Sequence, residues 1–111
     1  MTRKAIPETA YGLLRQAIRE HFCITARYQG RLRRFCPYAL GTDDAQKPKT
    51  LVWQYGGQSS GRLPQWRCFG VDDLTKLARN DDRWHDEIGG HSVKNTCVTN
   101  VEVEVGKWRS R

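Results

Sequence analysis

Arginines and aromatic side chains recur between Ile24 and Leu74 at spacings that suit recognition of a planar anion. The run Ile24-Thr25-Ala26-Arg27-Tyr28-Gln29-Gly30-Arg31-Leu32-Arg33-Arg34-Phe35-Cys36-Pro37-Tyr38 is followed by Leu51-Val52-Trp53-Gln54-Tyr55, then by Trp66-Arg67-Cys68-Phe69-Gly70-Val71-Asp72-Asp73-Leu74. Guanidinium groups present planar forks of N–H donors that match phosphate and stack on rings. Arg27, Arg31, Arg33, Arg34 and Arg67 are therefore the candidate anion contacts, with Tyr38 as the exposed ring. Neighbouring strand residues face opposite sides, so Arg33 and Arg34 should not both serve one site. The competing account is that some of these arginines only solvate the sheet or pair with nearby acids. Tyr28, Trp53, Tyr55, Trp66 and Phe69 could also stack on bases. Large rings fill a small core first, however, and Trp53 and Tyr55 share a face with Leu51.

Charge supports an anionic partner. The 111-residue chain carries a net charge of +7. From Met1 to Arg34 eight basic residues stand against Glu8 and Glu20 alone, and most acids come later. A basic face of this kind concentrates phosphate-bearing partners and makes binding salt-dependent. A generally basic, solvated surface is the alternative.

The elements that must position these residues follow from periodicity. Pro7 to about Glu20 reads as an amphipathic helix with Tyr11, Leu13, Leu14, Ala17 and Ile18 on its apolar side. Pro7 fits a first turn, and Glu8 complements the helix dipole there. Phe22 to Tyr28 alternates as a strand, Gln29-Gly30 turns, and Arg31 to Leu40 returns as a hairpin with an irregularity at Pro37. Gly41 to Lys49 reads as a polar loop, Lys49 to Tyr55 as a third strand and Leu63 to Val71 as a fourth. Asp72 caps a short helix or turn with Leu74 and Leu77 on its apolar side. Arg79 to Asn95 reads as a long polar loop that Trp84 and Ile88 tie to the body. Thr96 to Val105 closes the chain as a strand, Val101, Val103 and Val105 inward and Glu102 and Glu104 outward. One domain over residues 1–111 is predicted, mainly β: a helix at 7–20 and a small bent antiparallel β-barrel with strands at about 22–71 and 96–105.

Other classes find little purchase. No Ser-His-Asp nucleophile turn, His-Glu-x-x-His or phosphate-binding glycine loop is present, which argues against an enzyme and against a cofactor. His85-Asp86-Glu87 with His91 reads as an exposed polar run. Cys23, Cys36, Cys68 and Cys97 stand far apart with no Cys-x-x-Cys pair, so the expectation is four reduced thiols, no metal site and no disulfide. No apolar run is long enough to span a membrane, and the first residues lack the apolar stretch of a signal peptide. The expected location is cytoplasmic.

The stretch from His21 to Leu77 resembles the WYL domain, a bacterial family named for a Trp-Tyr-Leu tripeptide. The resemblance rests on Tyr28, Gly30, Arg33, Arg34, Pro37 and Tyr38, then Tyr55, then Arg67-Cys68-Phe69-Gly70-Val71-Asp72-Asp73-Leu74. Thr50-Leu51-Val52 stands where the name tripeptide would be, and Gly70 and Asp73 stand where the family has two arginines. The resemblance implies an SH3-like or Sm-like barrel. It also implies a sensor of nucleic acid or nucleotide ligands in the regulation of transcription or phage defence. The alternative from another class is a protein-interaction module that docks on a partner or forms a homodimer.

Overall fold

The apolar stripe and the alternating runs assemble as one helix laid against a strongly curved antiparallel sheet. The computed structural model describes residues 9–59, 61–85 and 97–105. In chain order these form α1 (Ala10–Glu20), β1 (Ile24–Tyr28), β2 (Arg31–Thr42), β3 (Pro48–Gly57), β4 (Gln65–Gly70), a 3-10 turn (Val71–Asp73), β5 (Leu74–Arg79) and β6 (Asn100–Glu104). The helix begins at Ala10 because Thr9 caps it, its hydroxyl accepting from Gly12 N–H at 2.9 Å. Pro7 and Glu8, assigned to the first turn from sequence, lie outside the described residues. His21 ends the helix in the left-handed region, φ 61°, with its N–H on the Ala17 carbonyl.

The strand order is β4-β3-β2-β1-β5, with β6 on the far half of β2. Strand β2 is long enough to pair β1 along residues 31–35 and β6 along residues 39–42, on the edge opposite β3. The two ends of this order, β4 and β5, are joined by only the three residues of the 3-10 turn. So short a connection curls the sheet and brings its two edge strands together at one corner. Tyr28 Oη, on β1, accepts from Gly70 N–H at that corner, 3.5 Å away. No ladder joins β4 to β5, so the sheet is not closed.

The concave face holds the core: Leu14, Ala17 and Ile18 of α1 against Ile24, Ala26, Phe35, Leu40, Val52, Phe69, Val71 and Leu74, all buried. Arg33 and Gln54 are buried with them. No helix among the described residues is long and apolar enough to cross a membrane.

Four sequence expectations are corrected here. The 41–49 loop is a tight turn, because β2 runs to Thr42 and β3 starts at Pro48, with Asp43 accepting from Ala45 N–H and Lys47 N–H. Leu74 and Leu77 belong to β5, not to a helix. A bulge opposite Thr25 and Arg27, with Lys76 at φ 53°, turns both leucines toward the core despite their three-residue spacing. Val101 is 40% exposed, because β6 slips by one residue between the Leu40–Val103 and Gly41–Val101 pairs. The fourth is the disulfide: Cys68 on β4 is bonded to Cys97, 29 residues on, with Cα atoms 6.3 Å apart. Wide spacing along the chain says nothing of spacing across a folded sheet.

The slip in β6 has a structural consequence. Glu102, the extra residue, reaches α1, where Arg15 Nε donates to it at 2.8 Å and Tyr11 Oη at 2.7 Å. Both hydrogen bonds hold its carboxyl below the usual range, while burial and Glu102 push the Tyr11 phenol up to about 12. A carboxyl with a depressed folded pKa stabilises the fold above its unfolded value of about 4.3 and loses that contribution as pH falls through the folded one. Glu102→Gln should therefore cost less than about 1 kcal/mol at neutral pH, since the pair is exposed. Denaturant melts of wild type and variant should converge as pH is lowered beneath 4; a gap that persists there would remove the ionic contribution.

Candidate anion-binding cleft

Arg33 occupies the most demanding position in the molecule. Directly opposite residues in an antiparallel pair share a face, so the pairs Ala26–Arg33 and Tyr28–Arg31 put Arg31 and Arg33 on the concave side. The pairs Thr25–Arg34 and Arg27–Leu32 put Arg27 and Arg34 on the convex side, both exposed. Arg67 pairs with Val52 and joins Phe69 on the concave side. The five candidate arginines therefore divide, with Arg31, Arg33 and Arg67 on one face and Arg27 and Arg34 on the other.

Arg33 is only 1% exposed, with its guanidinium carbon 5.5 Å from the centroids of both the Tyr28 and Phe69 rings. Its Nη1 donates to Gln54 Oε1 at 3.3 Å and its Nη2 to the Tyr28 carbonyl at 3.4 Å. Its Nε has no hydrogen-bond partner among the described residues. No described carboxylate lies within ion-pair distance of Arg31, Arg33 or Arg67; ion pairs form elsewhere, as at Arg15–Glu102 and Lys49–Asp43. Burial, followed by repulsion from Arg67 and Arg31, pulls the Arg33 pKa below its ordinary value. A guanidinium removed from water beside two like charges is electrostatically unsatisfied, and an anion relieves it.

The turn beside it is built to come close. Gly57, φ 84°, faces Arg33 across the β2–β3 ladder, and a Cβ there would lie 2.3 Å from the Leu32 carbonyl oxygen. Only glycine fits both the conformation and the approach. Gln54 Nε2 donates to the carbonyls of Gly56 and Gln58 at 2.9 and 3.0 Å, so one buried amide fixes both the turn and Arg33. Beyond it lies an open cleft of about 630 Å³ lined by Arg31, Gly57, Gln58, Ser59, Gly61 and Leu63. Ser59 Oγ accepts from Arg67 Nη1 at 3.4 Å, from Gln65 Nε2 and from Gly61 N–H, which ties Arg67 to the cleft rim. Gln54 and Ser59 escaped sequence reasoning. The available signal was a polar residue at an inward strand position, with Val52 two residues before it.

Tyr38 is not the exposed ring the sequence suggested; it is 2% exposed on the convex side. Residues 80–85 cross that side as a strap. Trp84 stacks on Tyr38 with centroids 5.1 Å apart, and Trp66 meets it edge-on. The Tyr38 hydroxyl donates to the His85 carbonyl. His21 also stacks on Trp84, with centroids 4.9 Å apart, and His85 stacks on Tyr55, whose hydroxyl donates to Asp82 at 2.6 Å. Trp53 and Tyr55 are half-buried beneath this cover and pack against the main core cluster, as their shared face with Leu51 suggested. Trp84 thus ties the segment down as expected; Ile88, Asp86, Glu87 and His91 lie outside the described residues. Gly70 and Asp73 adjoin each other at the β4–β5 corner. Among the described residues no group of three or more His, Cys, Asp or Glu side chains is gathered as metal ligands would be.

Comparison with protein-family models, with curated proteins and with solved structures finds no match to this chain.

Proposed function

We propose that the chain is a WYL-like regulatory module that binds nucleic acid or a nucleotide-type anion in the cleft beside Arg33. On this reading the curled sheet is an open SH3-like barrel. It serves transcription or phage-defence regulation, the setting its sequence resemblance implies, and works by binding, not by catalysis. One observation carries it: Arg33 is buried beside the contacting rings of Tyr28 and Phe69, has no carboxylate partner among the described residues, and adjoins a cleft lined by Arg31 and by Ser59, to which Arg67 is bonded. Fixed guanidiniums with low-dielectric walls bind phosphate more strongly than mobile surface charges do.

Fluorescence anisotropy with labelled single-stranded DNA and RNA oligonucleotides, across a salt series, tests the reading. Arg31→Ala with Arg67→Ala should weaken binding about tenfold or more and reduce the salt slope by about 2, because each lost phosphate contact removes one counterion release. Arg27→Ala with Arg34→Ala removes the same charge from the convex face and should do distinctly less. Equal losses from the two pairs would reduce the effect to general basicity. Wild-type protein with no affinity for either oligonucleotide, or for a nucleotide, would favour a protein-docking module or homodimer instead.

A further inference from the structure

Cys23 and Cys36 have no part in the cleft, yet they are arranged as reacting partners. Cys23 stands one step beyond the Ile24–Phe35 pair, opposite Cys36, and their Sγ atoms share a hydrogen bond at 3.5 Å. Both are fully buried and free. Opposed residues of antiparallel strands have Cβ atoms about 4.5–5.5 Å apart, and a disulfide needs about 3.5–4.5 Å, so a small inward movement closes the bond. The strap lies directly over them. Cys23 Sγ donates to the Arg83 carbonyl at 3.5 Å, and Cys36 Sγ accepts from His85 N–H at 3.4 Å.

We propose that Cys23 and Cys36 are a hydroperoxide-oxidisable dithiol, a modification site whose closure to a cross-strand disulfide loosens the strap over the convex face. The hydrogen-bond order assigns the two roles. Cys23 gives its single hydrogen to the Arg83 carbonyl, so the hydrogen shared between the sulfurs is that of Cys36; this bond and burial raise the Cys36 thiol pKa, and the same bond lowers that of Cys23. Cys23 is then the first nucleophile. Its thiolate sulfur attacks a peroxide oxygen, the O–O bond breaks, and Cys23 becomes a sulfenic acid as hydroxide leaves. Cys36 sulfur attacks Cys23 sulfur, the S–O bond breaks, and the leaving hydroxyl departs as water with the Cys36 proton. Two thiols lose two electrons, and one hydrogen peroxide becomes two waters. The disulfide has no S–H to give Arg83, so the strap loses a tether. Buried thiols are otherwise inert, so oxidation proceeds through opening of the strap.

The test uses the full chain. Protein is exposed to hydrogen peroxide, quenched with catalase, denatured, alkylated with N-ethylmaleimide and weighed intact. Untreated protein should take up two maleimides, at Cys23 and Cys36. Oxidised protein should take up none, and a tryptic digest should yield a linked pair of peptides containing Cys23 and Cys36. Hydrogen exchange at residues 81–85 should quicken in the oxidised form. Cys36→Ala should stop at a Cys23 sulfenic acid that dimedone traps once per chain, while Cys23→Ala should leave Cys36 unreacted. Two maleimides after peroxide treatment, linkage between chains, or oxidation of Cys23 beyond sulfenic acid without pairing would each overturn the proposal. Unchanged exchange in the strap would overturn its loosening. The wild-type mass measurement decides the thiol chemistry even if either variant fails to fold.

Discussion

Reduction of the Cys68–Cys97 disulfide is expected to lower stability by roughly 3–4 kcal/mol, the chain-entropy value for a loop of this size. The bond closes 29 residues that include the 3-10 turn, β5 and the strap. It also fixes the start of β6, where Val98 packs on Ala39 and Leu51 in a small cluster of its own. Losing the cross-link frees the reduced, unfolded chain to explore far more conformations, and β6 is then held by its short ladder with β2 and by the Glu102 contacts to α1. For a domain of this size such a change moves the melting temperature down by on the order of 15 °C. Thermal melts with and without a reductant measure it, and Cys68→Ala with Cys97→Ala should reproduce the reduced value. That double variant separates the effect from any chemistry at Cys23 and Cys36. A chelator should leave the transition where it is, since no metal-ligand cluster exists among the described residues. A reduced protein melting within a degree or two of the oxidised one would mean that β6 is anchored by its other contacts.

How much of this was legible depended on the range of the interaction. The α1 stripe, the β1–β2 hairpin with Gln29 and Gly30 at its turn, and the opposition of Arg33 and Arg34 are local consequences of periods near 3.6 and 2, and sequence carries them. Strand β5 looks helical in sequence because Leu74 and Leu77 stand three apart, a spacing that a bulge at Lys76 produces in a strand. Tyr38 was misplaced for a different reason. Its cover comes from residues 80–85, a polar segment whose Trp84 and His85 fold back across the sheet. The disulfide and the thiol pair both join residues that only the sheet brings together. Of the candidate cleft, Arg31, Arg33 and Arg67 could be named in advance. What organises them, the buried amide of Gln54 and the glycine at 57 that lets the turn approach β2, required the register.

Arg33→Met is expected to separate stability from binding. The native side chain keeps a positive charge at a site 1% exposed, beside a contacting pair of rings and with no described carboxylate within reach. Taking that charge out of water is costly, and two aromatic faces with two carbonyl oxygens as acceptors compensate only in part. Methionine is unbranched, fills irregular space and carries no charge, so it can occupy the space beside the Tyr28 and Phe69 rings. Against that gain, Gln54 Oε1 and the Tyr28 carbonyl each lose a donor. The balance favours the variant by about 1–2 kcal/mol, the lower part of the range seen when a buried ionic group is replaced by a well-packed apolar one. Affinity for a phosphate-bearing ligand should fall by roughly 100-fold, since a buried charge-assisted contact contributes about 2–3 kcal/mol. Arg33→Ala, by contrast, leaves a cavity and should lose both stability and binding. Denaturant melts and anisotropy on the same two variants make the comparison. A methionine variant that is less stable than wild type would mean the guanidinium is structurally satisfied where it lies. A stabilised variant that still binds would move the anion site away from Arg33, leaving Arg31 and Arg67 as rim charges around an ordinary cleft.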